Sequence, residues 1–346
     1  MSKLSKTEMN VQKTEKYKQV LKTLPVFLLE YFRGIESDTQ LLTRINYAYD
    51  LRLFFSFLEN EFGKDIKHFQ SKDLNDITYN QIEQYLEYLH LYYKDEDIVM
   101  ENGEKGIARK LSSIRSLFKY YFKKGILESN ITTLFDSPKI HEKPILRLDQ
   151  DEALRLLYII DTGDGLTDKQ LDFHNRTRLR DLAIFTLFLT TGIRISELCA
   201  LDISDIDLVR RSFKVLRKGG NEALLYFSEQ TADALGKYLE ERKAAANYSL
   251  NSPMFLSLQN KRMSVRALQM LVQKYARLAV PLKNISPHKL RSTYGTLLYQ
   301  QTGDIYLVAD VLGHKDVNTT RKHYAAIDES RRKMASDAVV FKRDDD

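Results

Sequence analysis

Apolar side chains recur every three or four positions along most of the first 140 residues, which is the spacing of helices with one buried face. The pattern predicts at least four helices and no strand in this part of the chain. The predicted helices are Leu24–Phe32, Thr39–Asn60, Tyr79–Tyr93 and Gly106–Lys124. Gly125 is expected to end the last one, because glycine readily adopts the left-handed conformation that follows many helices.

The helical pattern stops between Ser137 and Leu148, a stretch that holds two of the six prolines. Proline lacks a backbone N–H donor and interrupts helices. We therefore predict a helical domain at residues 1–138, a linker at 139–148 and a second domain at 149–346. A chain of 346 residues suits two domains, since roughly 100–200 residues per domain is typical.

Helical spacing also dominates the second domain, at Asp149–Ile160, at Leu179–Thr191 and again from Thr231 onward, with a polar loop expected over Asp161–Asn175. Two short β-prone runs, SFKVL and ALLYF, flank a Gly-Gly pair and predict a hairpin. The expected fold class is mainly α with a small β-hairpin or sheet in the second domain, an α+β architecture.

Composition excludes several classes of protein. The 53 basic and 47 acidic residues give a net charge of +6, which is compatible with a polyanionic partner without establishing one. The single cysteine, Cys199, permits neither an intrachain disulfide nor a multi-cysteine metal site. The sequence has no apolar run near the ~20 residues that span a bilayer, and no signal-peptide core near Met1. We expect a cytoplasmic protein without membrane contact.

Two stretches of the second domain place basic side chains beside glycines. Arg194 lies just past Gly192, and the carboxylate of Glu197 three residues on can brace its guanidinium on one helical face. Lys218 lies beside the glycine pair of the predicted hairpin, where it can reach into a groove. Taken alone, the first stretch is equally typical of an ordinary surface ion pair, and the second is more typical of a solvated turn lysine.

Two further stretches combine histidine with arginine or tyrosine. Ser286 and Pro287 suit the N-cap and the first residue of a helix, so His288 and Arg291 would lie in its first turn, where the helix dipole favours a phosphate. His314 follows a glycine, and Tyr324 lies ten residues later. A capped helix with a half-buried histidine, or a core tyrosine, would have the same local sequence.

The order Arg, Lys, His-x-x-Arg, Gly-His, Tyr resembles the active-site set of the tyrosine recombinase (phage integrase) family. The surrounding segments TTGIRISELCALDISDIDL and HKLRSTYGT are also similar to the family, and the resemblance covers most of residues 180–326. Residues 107–120 resemble a core-binding helix of Xer recombinases. The opening Leu24-Pro25 with Glu30-Tyr31 is similar to the stand-alone Xer proteins of streptococci and lactococci. The residues that match the family's catalytic positions are Arg194, Lys218, His288, Arg291, His314 and Tyr324, with Glu197 in support.

The resemblance implies a site-specific recombinase that cleaves and rejoins duplex DNA through a 3′-phosphotyrosyl intermediate and a Holliday junction. It implies no cofactor, no metal and no ATP, and the sequence has neither a DDE-type carboxylate cluster nor a GK[ST] phosphate loop. A helical SAM-like core-binding domain and a catalytic domain would clamp the DNA. The protein would be a monomer in solution and a homo-tetramer on DNA, joined by a C-terminal tail at 329–341.

The last predicted helix of the first domain is rich in basic residues opposite its apolar stripe, and we expect that basic face to contact DNA. The residues concerned are Lys105, Arg109, Lys110, Arg115, Lys119, Lys123 and Lys124.

Several alternatives stay open on sequence alone. Xer-type resolution of chromosome or plasmid dimers is favoured, and a mobile-element integrase is the alternative role. A topoisomerase IB-like nickase would use similar residues as a monomer, although the tail after Tyr324 suits subunit exchange better. A catalytically inert DNA-binding protein is the alternative outside the enzymes, and the filled catalytic positions count against it.

Overall fold

The computed structural model describes residues 6–94, 98–136, 138–139, 141, 146–217, 220–244, 249–314, 316–317 and 320. The chain forms two compact units, Met1–Lys143 and Pro144–Asp346, each with its own apolar core. The division falls within the segment 139–148. No helix in the part of the chain that the structure describes is long and apolar enough to cross a membrane.

The first unit packs helices around an aromatic-rich core. Its helices are α1 (Lys6–Leu21), α2 (Leu28–Gly34), α3 (Leu41–Phe62), α4 (Tyr79–Tyr88) and α5 (Glu104–Lys123), with 3-10 turns at Ser71–Asp76 and Ile131–Leu134. The spacing that predicted α3 and α5 corresponds to their buried faces, since Ile45, Phe54 and Leu58 are buried, as are Leu111 and Ile114. Burial of such faces is the main stabilising contribution to a helix in a folded domain.

A two-stranded antiparallel sheet lies between α4 and α5, formed by β1 (Leu91–Lys94) and β2 (Ile98–Glu101). The prediction of a helix through Tyr93, with no strand in this part, is therefore wrong. Tyr92 is buried whereas its neighbours Leu91 and Tyr93 are exposed, which is the alternation of a strand. A short apolar run has no unique period, so its sequence fits a helix as well as a strand.

The second unit is also mainly helical. Its helices are α6 (Gln150–Thr162), α7 (Asp168–Asn175), α8 (Arg178–Thr191), α9 (Ile195–Ala200), α10 (Glu229–Lys243), α11 (Val265–Ala279), α12 (Pro287–Thr302) and α13 (Ile305–Leu312), with a 3-10 turn at Ile203–Asp205. The central helix is α8, which packs against α6, α10 and α12. Its side chains from Ala183 to Leu189 are all buried.

A three-stranded antiparallel sheet of β3 (Ile206–Asp207), β4 (Ser212–Leu216) and β5 (Glu222–Tyr226) lies between α9 and α10 in the chain. Strands β4 and β5 form the hairpin that the SFKVL and ALLYF runs predict, with Ser212 opposite Tyr226 and Leu216 opposite Glu222. The mainly helical fold with a small sheet in the second unit is thus confirmed.

The loop predicted over Asp161–Asn175 is wrong in its second half, where α7 forms. Thr167 is the N-cap of α7, and its backbone N–H donates to the side chain of Gln170 at 3.1 Å. The residue buried on this helix is His174, a polar type, so the apolar period that normally reveals a helix is absent from the sequence.

Candidate active site

Four of the predicted site residues of the second unit lie where α8 and α13 end: Arg194, Glu197, Arg291 and His314. Helix α8 ends at Gly192, with φ of 60°, in the left-handed region. A Cβ atom on Gly192 would lie 2.6 Å from the ring of Tyr294 and 2.8 Å from the side chain of Leu312. Conformation and space therefore both require glycine. The last carbonyls of a helix lack partners within it, so this corner offers acceptors to incoming donors.

Arg194 is the N-cap residue of α9 and is held from two sides. Its Nη1 donates to Oε1 of Glu197 at 2.7 Å, and its backbone N–H donates to Oε2 of the same carboxylate at 3.0 Å. Its Nη2 donates to the carbonyl of Gly313 at 2.9 Å. The predicted contact between Arg194 and Glu197 is thus confirmed. The Glu197 side chain is only 5% exposed and that of Arg194 is 32% exposed, so the guanidinium still reaches solvent.

Arg291 joins the two helix ends from α12. Ser286 is the N-cap of this helix and Pro287 its first residue, as predicted. Arg291 is buried, and its Nη1 donates to the carbonyl of Gly192 at 2.5 Å while its Nη2 donates to that of Leu312. Because Leu312 and Gly313 are consecutive, the two predicted phosphate-binding arginines are bound to adjacent carbonyls.

The two predicted histidines differ in burial. His288 lies in the first turn of α12, three residues before Arg291, and is exposed. His314 directly follows the end of α13 and is partly buried. Its backbone N–H donates to the carbonyl of Ala309 at 2.9 Å, and its Nδ1 lies 2.7 Å from Oγ1 of the buried Thr320. The structure thus places His314 beside the carbonyl that binds Arg194.

Two of the six predicted catalytic residues, Lys218 and Tyr324, lie outside the described residues. The predicted tail at 329–341 also lies outside them. The strands that flank Lys218 are described, and the backbone N–H of Arg217 donates to the carbonyl of Asn221 at 2.8 Å across the hairpin.

Other nucleophilic side chains near this corner are poorly suited to attack. Burial raises the pKa of the Cys199 thiol to about 12, and nearby Arg262 lowers it by less. The thiol therefore stays protonated at neutral pH, whereas the thiolate is the nucleophile. Burial also raises the pKa of Tyr294, whose ring packs against Gly192. Among the described residues, no group of three or more His, Cys, Asp or Glu side chains is arranged to hold a metal ion.

Sequence reasoning missed a third arginine at the same corner. The Nη1 of Arg217 donates to the carbonyl of Asp310 at 3.2 Å, and its Nη2 donates to that of Val311 at 2.9 Å. The only signal for this residue in the sequence is its position directly before Lys218, because nothing local indicates which distant helix end it contacts.

The seven basic residues predicted to bind DNA from α5 and its end fall into two groups. Lys105, Lys119 and Lys123 are exposed. The other four contact protein groups: Arg109 pairs with Asp50, Lys110 donates to Asn102, Arg115 donates to the carbonyls of Thr132 and Phe135, and Lys124 pairs with Glu30. Arg109 and Lys124 are nevertheless exposed, so Lys110 and Arg115 are the two residues that do not belong to the exposed basic face.

For Lys110, the prediction of an outward-facing residue is wrong. Its side chain is buried, with Nζ 2.6 Å from Oδ1 of Asn102. Burial lowers the pKa of the Lys110 ammonium, and nearby Asp50 opposes that shift. The apolar stripe and the basic face meet at this position of α5, and the sequence alone does not show on which side Lys110 falls.

A polar groove of about 570 Å³ beside α5 was not predicted. Ser112, Ser116 and Lys119 line it from α5, and Thr132 and Thr133 line it from the following 3-10 turn. Hydroxyl groups and lysines are common partners of DNA phosphates. The hydroxyls of Ser112, Thr132 and Thr133 already donate to groups within the unit, whereas that of Ser116 accepts from Tyr31. The groove therefore adds the Ser116 hydroxyl to the exposed lysines as a candidate DNA-contacting group.

Comparison with known families matches both units. The family described as "Phage integrase family" matches residues 147–331, and the one described as "Phage integrase, N-terminal SAM-like domain" matches residues 28–125. A tyrosine recombinase XerC of Caldanaerobacter subterraneus is 31% identical over 338 residues, or 96% of this chain and 90% of the relative. The chain belongs to the phage integrase family. It is a site-specific tyrosine recombinase of the Xer-like type, as the sequence motifs predict.

Further relatives support the same assignment. A tyrosine recombinase XerC of Thermodesulfovibrio yellowstonii is 33% identical over 230 residues, covering 65% of this recombinase and 73% of the relative. These similarities favour the Xer-like role over the mobile-element integrase.

Solved structures share the fold. The XerH site-specific recombinase bound to its difH substrate, in a pre-cleavage complex, has a TM-score of 0.62 and 20% identity, covering 86% of this chain and 80% of that one. A lambda integrase (75–356) dimer bound to a COC′ core site has a TM-score of 0.62 and 18% identity, covering 93% and 99%.

Proposed function

We propose that this recombinase cleaves and rejoins duplex DNA through a covalent bond between Tyr324 and a 3′ phosphate, by way of a Holliday junction, and that it resolves chromosome or plasmid dimers. The observation that carries the proposal is the convergence of Arg194 and Arg291 on the adjacent carbonyls of Leu312 and Gly313, directly before His314. These residues lie far apart in sequence, and the fold brings their guanidinium groups close enough together to bind one phosphate.

The two arginines would bind the scissile phosphate. A guanidinium presents its N–H donors in a planar fork that matches two phosphate oxygens. Glu197 and the helix-end carbonyls already fix the direction of both forks, so little reorganisation is needed when the negative charge on the phosphate oxygens rises. His314 would add a further donor from the neighbouring position. Together these groups would supply the charge for which other phosphoryl-transfer enzymes use a metal ion.

Proton transfer would involve three more residues. The phenol of Tyr324 has an ordinary pKa of ~10 and must lose its proton to attack phosphorus. His288, exposed at the start of the helix that carries Arg291, is the residue we propose as its base. Lys218 would protonate the leaving 5′ oxygen. The phosphotyrosyl bond would conserve the energy of the phosphodiester, so religation would need no ATP.

DNA would contact both units, with residues 1–138 as the core-binding domain and 149–346 as the catalytic domain. In the first unit, Lys105, Lys119 and Lys123 together with the Ser116 hydroxyl in the groove beside α5 are the proposed phosphate contacts. We also propose that the protein is a monomer in solution and a homo-tetramer on DNA. The apolar positions within the tail 329–341 would dock on a neighbouring subunit, and such head-to-tail contacts close into a ring.

Covalent trapping tests the proposed chemistry. Binding selection from random duplex DNA would first yield the recognised site, and a nick beside the scissile phosphate would let the cleaved fragment diffuse away. We expect a protein–DNA adduct on a denaturing gel, formed equally well with EDTA present. Cleavage that strictly requires added Mg²⁺, or that leaves no adduct, would contradict the proposal.

A further inference from the structure

The end of strand β4 is joined to the end of helix α13 by one side chain, that of Arg217. Its two terminal nitrogens donate to the carbonyls of Asp310 and Val311. The next two carbonyls along the chain accept from Arg291 and Arg194. Three guanidinium groups therefore bind four consecutive carbonyls, 310–313, and the one from the hairpin is a direct neighbour of the two that would bind phosphate.

The contact between Arg217 and Gly313 is close. A Cβ atom on Gly313 would lie only 1.8 Å from Nη1 of Arg217 and 2.4 Å from its Cζ. The guanidinium therefore occupies the space that any other residue at 313 would need, against the backbone of the residue that precedes His314. Gly313 also has φ of 62°, in the left-handed region that glycine tolerates.

The guanidinium of Arg217 is partly buried against the end of α13. Its Nε is buried and has no hydrogen-bond partner within the part of the chain that the structure describes. Burying an N–H donor without a partner is unfavourable, so the packing and the two hydrogen bonds at the other end of the guanidinium must outweigh that cost. An arginine whose side chain extended from the hairpin into solvent would have all its N–H donors bound to water.

We propose that Arg217 is a positioning residue for DNA cleavage, which anchors the end of β4 against Gly313 and thereby sets how far Lys218 can reach. Lys218 is the next residue in the chain, so its Cα lies one peptide unit, about 3.8 Å, from the anchored residue. This inference rests on the proposed role of Lys218 as the acid that protonates the leaving 5′ oxygen. Arg217 would act through Lys218 and would not itself touch the phosphate.

Replacing the leaving oxygen of the DNA by sulfur tests whether a variant has lost the acid. The cleavage rate should recover on the sulfur substrate if only the acid is lost, and it should not recover if the site itself is damaged. In a 5′-bridging phosphorothiolate the leaving group is a 5′ thiolate in place of a 5′ alkoxide. A thiol has a pKa of ~8.5, whereas an O–H group such as that of water has a pKa of about 15.7. A thiolate therefore departs without an acid. A variant that has lost the acid, or in which the acid is misplaced, should cleave the oxygen substrate slowly. It should cleave the sulfur substrate at nearly the wild-type rate.

The experiment compares single-turnover cleavage of both substrates at saturating DNA by the full-length wild type and four variants: Arg217→Ala, Arg217→Lys, Lys218→Ala and Arg210→Ala. We expect Lys218→Ala to lose about 10²-fold or more on oxygen, the range for one general acid, and Arg217→Ala to lose at least about 10-fold. Both should come within about 3-fold of wild type on sulfur, if the acid is the only thing lost. Arg210 is an arginine near the other end of β4 whose side chain is 85% exposed, and Arg210→Ala should match the wild type on both substrates.

The outcomes separate the inference from the function on which it rests. If sulfur fails to rescue Lys218→Ala, Lys218 is not the acid and that part of the proposed function is wrong. If sulfur rescues Lys218→Ala but not Arg217→Ala, Arg217 does not act through Lys218 and the inference is overturned. Weaker DNA affinity with undiminished cleavage at saturation would also overturn it, because Arg217 would then be a phosphate ligand.

Loss of folding would not leave the question open. Thermal unfolding of each variant shows whether it is folded, and recovery on the sulfur substrate itself requires an intact site. If Arg217→Ala does not fold, Arg217→Lys takes its place, because lysine keeps the charge and the aliphatic stem but cannot make the two-point contact. We expect Arg217→Lys to be slowed on oxygen and rescued by sulfur, and a variant with wild-type rates on both substrates would contradict the proposed anchor.

Discussion

Arg291 in the second unit and Arg115 in the first make similar contacts, since each donates to two backbone carbonyls and so joins parts of its unit that are separate in sequence. Arg291 binds Gly192 and Leu312, and Arg115 binds Thr132 and Phe135. The difference lies in what surrounds them. Arg291 shares its corner with two further guanidinium groups, whereas other basic residues of α5 each contact a different partner on another part of the unit, Asp50 for Arg109 and Asn102 for Lys110.

The comparison shows what distinguishes a phosphate site from a basic surface: several guanidinium groups lie close together at the site. Along α5, Arg109 pairs with Asp50 and Lys124 with Glu30, so charges are matched one to one. At the end of α13 three arginines converge on consecutive carbonyls, and one of them, Arg194, pairs with Glu197. Like charges held together repel, and a bound phosphate would relieve that repulsion.

The largest effect is expected from removing the nucleophile proposed for the second unit. Tyr324→Phe deletes one oxygen and keeps the ring, so covalent adducts on nicked DNA should vanish while DNA affinity stays within about 3-fold of the wild type, because the phosphate contacts that supply affinity are untouched. Gel-shift titration and a denaturing gel measure the two quantities on the same samples. Adducts that persist in the variant would mean that another residue attacks.

Alanine at the converging arginines should come next in magnitude. Arg194→Ala and Arg291→Ala should each slow cleavage at saturating DNA by at least about 10²-fold, the typical effect of one preorganised donor to a developing oxyanion. Lysine should restore little, because a point charge cannot make the two-point contact.

Arg115→Ala is the matched control from the first unit. It should leave saturated cleavage within about 3-fold of wild type and instead lower the free energy of unfolding by roughly 1–3 kcal/mol, the cost of carbonyls left without partners. Single-turnover rates and denaturant unfolding measure the two effects. Equal losses of cleavage for Arg115→Ala and Arg291→Ala would contradict the claim that Arg291 binds phosphate whereas Arg115 only stabilises its unit.

Salt dependence of DNA binding should separate the exposed lysines from the buried one. Lys119→Ala or Lys123→Ala should weaken binding and reduce the slope of log affinity against log salt by about 1, as expected when one phosphate contact is lost. Lys110→Ala should leave that slope unchanged and instead destabilise the first unit, since Asn102 loses its partner. A reduced slope for Lys110→Ala would place that residue on the DNA after all.

The last expected effect is a pH dependence of stability in the first unit, which does not involve DNA. Burial raises the pKa of Asp50 from 3.8 to about 6, opposed by Arg109, whose Nη1 lies 2.5 Å from Oδ2. The folded state therefore keeps the proton that the unfolded state releases, and the free energy of unfolding should fall as pH rises from about 4 to about 6. At about 1.4 kcal/mol per pKa unit, the change is on the order of 3 kcal/mol.

Asp50→Asn supplies the reference for that measurement. Asparagine does not titrate, so the difference in unfolding free energy between wild type and variant should vary between pH 4 and 7 with the sign just given. Denaturant unfolding at four pH values measures it. A difference that stays constant across the range would mean that Arg109 keeps Asp50 ionised throughout.

Features with a strong local signal were predictable from the sequence. The end of α8 at Gly192, the hairpin around the glycine pair, and the contact between Arg194 and Glu197 each depend on residues within a few positions of one another. A glycine that accepts φ > 0, or a carboxylate one helical turn away, acts through short-range geometry, which the sequence displays directly.

Features that depend on long-range packing were not predictable. Arg217 contacts carbonyls 93 and 94 residues away, and nothing beside it in the chain indicates that partner. Lys110 is buried with its ammonium bound to Asn102, although its position on the helical wheel also suits the basic face. The hairpin of β1 and β2 was missed because its apolar positions fit two periods equally well.

The most direct test of the central claim is the identity of the residue that becomes joined to DNA. The adduct trapped on nicked duplex with EDTA present would be digested with nuclease and trypsin, and the nucleotide-bearing peptide sequenced by mass spectrometry. The account predicts the peptide HYAAIDESR, residues 323–331, whose one tyrosine is Tyr324. A nucleotide on any other of the 20 tyrosines, or on a residue of another type, would contradict it.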